Sequence, residues 1–199
     1  MVPSGVALAP PVPELGAADF SFLLQLARHA VEAAVAGRPC PWPEPGSLPP
    51  AILVPAAAFV TLHEHGELRG CMGQLDWDRS MWANVMAAGT IVPREDPRFM
   101  PVSFSELPAI RLEISVLGPP VELSGPADFD VRAHGIIVER SGRRALLLPQ
   151  VAEEFGWDAR TTLEAVCRKA GLSGDAWRHG GTRLLAFRAV HESEPGFEG

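Results

Sequence analysis

Within five residues, Arg69-Gly70-Cys71-Met72-Gly73, the chain brings together a guanidinium, a thiol and two glycines. On an extended strand, period-two alternation places Arg69, Cys71 and Gly73 on one face and Leu68, Gly70 and Met72 on the other. A guanidinium two residues from a thiol favours the thiolate, the form that acts as nucleophile. Glycines at 70 and 73 would let a ligand or a second backbone come close. The same residues also fit a bulge, and free cysteine is among the most buried residue types. Catalytic, ligand-contact and packing roles for Cys71 therefore all stay open.

The remaining candidates are dispersed. His63-x-His65 would suit a metal only if both rings shared a strand face. With His65-Gly66 as a two-residue turn, Glu64 faces Glu67, Leu62 faces Arg69 and Val60 faces Cys71. His65 then belongs to the turn, and no metal site is expected. Glu113 points off the apolar side of its strand, to solvent or to a groove between lobes. His134 precedes Gly135 at a strand start and reads as a turn residue, with acid–base chemistry as the alternative. Gln150 ends the apolar run LLLPQV, where an amide can orient a ligand or cap backbone groups. Asp96 and Arg98 flank Pro97 and should fasten their loop. Cys167 lies on the apolar stripe of a helix and is expected in the core. Cys40, between Pro39 and Pro41, reads as a loop residue. No Ser-His-Asp signature, phosphate-binding glycine loop or paired-carboxylate motif is visible. No cofactor is implied.

The elements that must position these residues follow from periodicity and punctuation. Phe22, Leu23, Leu26, Ala30 and Ala33 recur at helical spacing after Asp19, and Gly37 stops the run. PAAAFVTLHEHGELRGCMGQL reads as a hairpin and Arg79 to Ala88 as a short helix. REDPRFMPVSFSELP, with Pro97, Pro101 and Pro108, should be a loop. RLEISVLG alternates as a strand, and GIIVERSGRRALLLPQV is a second hairpin across Ser141-Gly142. In TTLEAVCRKA, Thr161 and Glu164 fit a capping box and Gly171 a C-terminal cap. TRLLAFRAVHE closes as one strand. Hairpins with interspersed helices and no βαβ repeat predict an α+β fold with a mostly antiparallel sheet.

The 199 residues are 47% hydrophobic and 21% charged, ordinary for a globular chain, with formal net charge −7. No lysine- or arginine-rich block marks a nucleic-acid partner, and no apolar run approaches the roughly 20 residues that span a bilayer. The N-terminus lacks the basic region of a signal peptide. Cys40, Cys71 and Cys167 stand far apart without C-x-x-C, against a disulfide framework and for a reducing cytoplasm. Residues 1–16 should be a flexible tail with no part in the fold, 17–192 the folded domain, and 193–199 a second tail.

FVTLHEHGELRGCMGQL, DPRFMPVSFSELP, LEISVLGPP, HGIIVERSGRRALLLPQV and CRKAGL with a following Trp177 occur in this order. Together they resemble the AMMECR-type domain family, protein A of the AmmeMemoRadiSam system, over residues 17–192. The resemblance implies two lobes, each a two-layer helix-on-sheet sandwich, and Memo-like and radical SAM proteins as partners. It makes Arg69-Gly70-Cys71-Met72-Gly73 the signature block. Family members usually run an alanine-rich helix straight into D-P-R-F; here GTIVPRE intervenes, and Pro93 is expected to end the helix early. Two functions remain. The first is an accessory module that binds a partner protein or small ligand through the signature block and inter-lobe groove, with Arg69, Gly70, Gly73, Glu113, His134 and Gln150 as contacts. The alternative is an enzyme that modifies a small molecule with the Cys71 thiolate.

Overall fold

The computed structural model describes residues 9–196. In chain order its main elements are α1 (Ala17–Val35), β1 (Ala57–Glu64), β2 (Glu67–Gln74), α2 (Met81–Glu95), β3 (Ile110–Leu117), β4 (Val121–Glu122), β5 (Gly135–Arg140), β6 (Arg143–Leu147), α3 (Pro149–Glu154), α4 (Ala159–Lys169), β7 (Arg183–Phe187) and β8 (Ala189–Ser193). Two open antiparallel sheets with four helices make this an α+β protein, in strand orders β2-β1-β3-β8 and β4-β7-β5-β6. The chain forms two compact units, one from Pro13–Leu117 with residues 190–196, the other from Gly118–Ala189 with residues 9–12. Among the described residues no helix is long and apolar enough to cross a membrane.

In the first unit, α1 and α2 pack on the sheet of β2-β1-β3-β8. Alternation in β3 buries Ile110, Leu112 and Ile114 completely, against Val60 and Leu62 of β1. The inward stripe of α1 is Phe20, Leu23, Leu24, Ala27, Ala30, Val31, Ala33 and Ala34. It keeps Leu23, Ala30 and Ala33 of the expected stripe, while Phe22 and Leu26 are only half-buried. Both stripes have helical spacing, and packing against the sheet decides between them. Pro93 does not stop α2 early: the helix runs two residues beyond it to Glu95. The missing N–H removes one intrahelical hydrogen bond, and any kink the ring imposes falls on the last two residues alone. The Pro93 carbonyl accepts the Val102 N–H at 2.8 Å, which fastens the following loop.

In the second unit, Ile136, Val138, Leu147, Leu163, Val166, Cys167 and Leu184 share one core. Cys167 is fully buried there, as its helical stripe predicts. The N-cap of α4 is Asp158 rather than Thr161: the Asp158 Oδ1 accepts the Thr161 N–H at 2.7 Å. Glu164 instead bridges Arg160 and Arg168. The closing strand is two strands, β7 and β8, which belong to different sheets. Both hairpin turns follow expectation, with positive φ at His65-Gly66 and at Ser141-Gly142. Of the expected tail, residues 1–8 lie outside the described residues. Ala9 is buried, and a Cβ on Gly118 would lie 3.2 Å from the Pro10 carbonyl, so residues 9–12 have packing partners.

Candidate functional site

The signature block occupies β2, the edge strand of the first sheet. A β-bulge shifts its register: His63 pairs with Leu68, but Leu62 pairs with Gly70, so Arg69 is the extra residue. Cys71 therefore faces Thr61 rather than Val60, and His63 lies between Leu68 and Arg111. Strict alternation from the turn misses this, because a bulge inserts one residue without a strong composition signal.

The glycines do not clear space for a ligand. A Cβ on Gly73 would lie 2.4 Å from ring atoms of Phe59, its partner on β1, so the Phe59 ring covers that position. A Cβ on Gly70 would meet Val92 of α2 at 3.4 Å, on the helix-facing side of the sheet. Gly73 thus admits packing from within the unit, whereas at Gly70 a Cβ would find ordinary van der Waals contact.

Around them runs a network of charged groups that holds the loop of residues 96–109 to β2. As the edge strand's backbone turns outward at Cys71, its N–H donates to the Asp96 Oδ2 at 2.8 Å, and its carbonyl accepts from Arg98 Nη2 at 3.4 Å. Asp96 and Arg98 are themselves paired at 2.7 Å. They cap two edge groups that would otherwise invite strand addition. Arg98 foremost, with the Cys71 and Arg98 amides, holds the Asp96 carboxyl down at about 2 although the residue is nearly buried. Arg69 is turned to the same purpose. Its Nε donates to Glu106 Oε1 at 2.7 Å, its Nη2 to the Met100 carbonyl at 2.9 Å, and its guanidinium lies 5.9 Å from the Phe99 ring centre. Arg69 and the Ser103 amide hold Glu106 at about 2. The guanidinium assigned to the thiol on sequence grounds is thus committed to Glu106.

The thiol has a different neighbour. Thr61 Oγ1 donates to Cys71 Sγ at 3.3 Å. Thr61 also pairs with Glu113 on β3, and Ser193 of β8 donates to Glu113 Oε2 at 3.4 Å. Cys71, Thr61, Glu113 and Ser193 consequently form one polar row across four strands. Glu113 is half-buried in this row.

His134 and Gln150 belong to the second unit. Gln150 does not end a strand: β6 stops at Leu147, and Gln150 lies in the first turn of α3. His134 closes a turn, as expected, its N–H donating to the Asp130 carbonyl at 3.0 Å, but it is not in solvent. It is 2% exposed just before β5, and burial foremost pushes its imidazole below the ordinary value of 6.5. Among the described residues no group of three or more histidine, cysteine or carboxylate side chains could hold a metal.

Sequence reasoning missed Thr61, Glu106 and Arg188 as members of these settings. A correct register would have found Thr61. Glu106 carries no local signal, since its partner Arg69 lies 37 residues away, and Arg188 none, since only its charge acts on the distant His134 ring.

Two open antiparallel sheets, with a glycine- and cysteine-bearing edge strand clamped by an Asp-Pro-Arg loop, define the class: a two-unit α+β protein. The sequence pattern of the AMMECR1 family matches residues 24–191, and the chain belongs to that family. It is 39% identical over 180 residues to a protein of Methanothermobacter thermautotrophicus, covering 87% of this chain and 93% of that one. A Thermofilum pendens protein is 36% identical over 191 residues, covering 88% and 89%. The crystal structure of the uncharacterised protein PH0010 from Pyrococcus horikoshii matches with a TM-score of 0.85 at 33% identity, covering 91% of this chain and 94% of that one.

Proposed function

We propose that this protein is an accessory docking module that presents the loop of residues 96–109 to a partner protein. The observation that carries this reading is the contrast between the loop's base and its tip. Arg69, Cys71 and Asp96 fix the base, while Met100 is 80% and Phe104 73% exposed, with Leu68 of β2 exposed to 43%. Large apolar side chains held out on a fastened loop favour insertion into a partner's pocket over free solvation. The family resemblance nominates the Memo-like protein first and the radical SAM protein second. The signature block then supplies support rather than the contact surface.

The test is calorimetric titration of the purified chain with each nominated protein. Met100→Asp with Phe104→Asp should weaken binding at least about tenfold, as for loss of a hot-spot pair. The melting temperature should stay unchanged, because both side chains are in solvent. Failure of the wild-type chain to bind either protein, or equal binding by the double variant, would sink the proposal.

The hydrogen bond from Thr61 to the Cys71 sulfur favours a second reading, thiolate chemistry on a small molecule. It requires that Cys71→Ser abolish a turnover and leave docking intact.

A further inference from the structure

We infer that the turn end of the β5–β6 hairpin binds the phosphate or diphosphate group of a small phosphorylated ligand, through Arg140 and Arg143. The site lies wholly in the second unit and is independent of the docking loop.

Four arginines line one cleft. Arg140, Arg143, Arg144 and Arg183 surround a cavity of about 300 Å³ with a single carboxylate, Glu139, among them. Both oxygens of Glu139 are taken, Oε1 by Arg144 at 3.1 Å and Oε2 by Arg183 at 2.7 Å. Arg183 is also paired with Glu122 at 2.8 Å. Arg140 and Arg143 have only neutral acceptors. Nη1 of Arg140 donates to the Thr182 hydroxyl at 2.9 Å and to the Ala176 carbonyl at 3.4 Å, and Nη1 of Arg143 donates to the Gly171 carbonyl. Among the described residues neither guanidinium forms an ion pair, and Nε and Nη2 of both remain for a ligand. Two uncompensated cations thus border one cavity in a chain whose formal net charge is −7. Their mutual repulsion is relieved by an anion between them.

The chemistry of the anion follows from the donors. A guanidinium has five N–H donors and no acceptor, and its planar fork matches two oxygens of a phosphate. A carboxylate brings one charge and two oxygens. A phosphate monoester brings about −1.5 to −2 charges and three acceptor oxygens, enough to serve both arginines at once. The backbone beside them is open to the same ligand. Ser141, Gly142 and Gly181 all have positive φ, and a Cβ on Gly142 or Gly181 would meet nothing within 4 Å. The cavity stands at the lower end of small-molecule sites, which span roughly 300–1,000 Å³. The occupant is therefore of the size of a diphosphate or a small phosphate ester. A nucleic acid is disfavoured, because the negative chain repels an extended polyanion beyond the cleft.

Salt is linked to binding. Arg143 is exposed and Arg140 half-buried, so their attraction for the anion is screened by the medium. Affinity should fall as ionic strength rises from about 0.01 M to 0.15 M, where the Debye length shrinks from about 30 Å to about 8 Å.

The experiment is calorimetric titration of the full chain with inorganic phosphate, pyrophosphate, acetate and a single-stranded DNA dodecamer, each at matched ionic strength. The expected result is one saturable site per chain, with pyrophosphate bound about tenfold or more tighter than acetate. Arg143→Gln should weaken pyrophosphate about tenfold or more, as for loss of a charge-assisted hydrogen bond. Arg160→Gln removes a guanidinium that lies outside the cleft and is paired with Glu164, and should leave the affinity unchanged. Binding of both phosphate and pyrophosphate identifies a monophosphate pocket, and binding of pyrophosphate alone a diphosphate pocket; either supports the inference. It is overturned by no saturable binding of either, by acetate binding as tightly, or by the dodecamer binding more tightly than pyrophosphate. Unchanged affinity in folded Arg143→Gln, or equal weakening in Arg160→Gln, overturns it as well. Should Arg143→Gln fail to fold for want of its Gly171 contact, Arg140→Gln takes its place with the same expected loss.

Discussion

Around Cys71 the charged side chains bond to one another and to the strand backbone; around His134 a buried ring lies under the influence of Asp130, whose Oδ1 accepts the Arg132 N–H at 3.0 Å. In the first unit Asp96, Arg98, Arg69 and Glu106 are all paired, and the backbone groups of Cys71 are capped by two of them. In the second, a buried imidazole and a buried guanidinium nitrogen lack acceptors. Charged residues packed near a cysteine suggest chemistry in one dimension, yet here they work as fasteners. The buried histidine, read from sequence as a turn residue, is perturbed first by its burial. The lesson is that site candidates are ranked by unsatisfied capacity, not by residue type.

Each unit also has a strand glycine beneath a cross-strand phenylalanine, and these should differ most in their response to substitution. A Cβ on Gly135 would meet the buried Phe187 ring at 2.3 Å and the Leu147 carbonyl at 2.8 Å, so neither ring nor backbone can yield cheaply. Gly135→Ala should cost roughly 3 kcal/mol or more by overpacking. Gly73→Ala meets only the Phe59 ring, at 2.4 Å, and that half-buried side chain can swing aside. A loss of about 1–2 kcal/mol is expected there. Urea denaturation of the two variants measures both, and equal losses would break the contrast.

The two regions should next separate by pH. Asp96 is held at about 2, against 3.8 for an ordinary aspartate. Its stabilisation, on the order of 2 kcal/mol, is complete above pH 4 and lost as pH falls toward 2. His134 is lowered from 6.5, the opposite of a histidine that gains an anionic partner. Its contribution is therefore complete above the unfolded pKa and declines as pH falls below about 6.5, because the unfolded ring takes the proton more readily. In stability-versus-pH curves, Asp96→Asn should erase the lower limb and His134→Gln the upper. Loss of the same limb in both variants would contradict this division.

The smallest effect concerns the thiols. Cys71→Ser should change stability by less than about 1 kcal/mol, since a hydroxyl can still accept from Thr61. Burial raises the Cys167 thiol above its ordinary value and excludes reagent, so native iodoacetamide labelling should reach half-buried Cys71 well before Cys167. Mass spectrometry of the labelled peptides reads the order, and faster labelling of Cys167 would overturn its place in the core.

What the sequence determined by itself was local. Positive-φ turns at His65-Gly66 and Ser141-Gly142, the alternation of β3, and the glycine cap of α4 at Gly171 are written in adjacent residues. So is the buried stripe that contains Cys167. The ordered motifs were also enough to identify the family. Tertiary structure decided everything that depends on a partner distant in the chain. The bulge at Arg69 moved Cys71 from Val60 to Thr61, and Glu106 took the guanidinium that alternation had assigned to the thiol. Pro93 stayed helical, and one apparent strand was divided between two sheets at Arg188. Periodicity records which face of an element is apolar, because burial of that face drives folding. It does not record which rung meets which, and hydrogen-bond partners over 2–3 Å are set by that register alone.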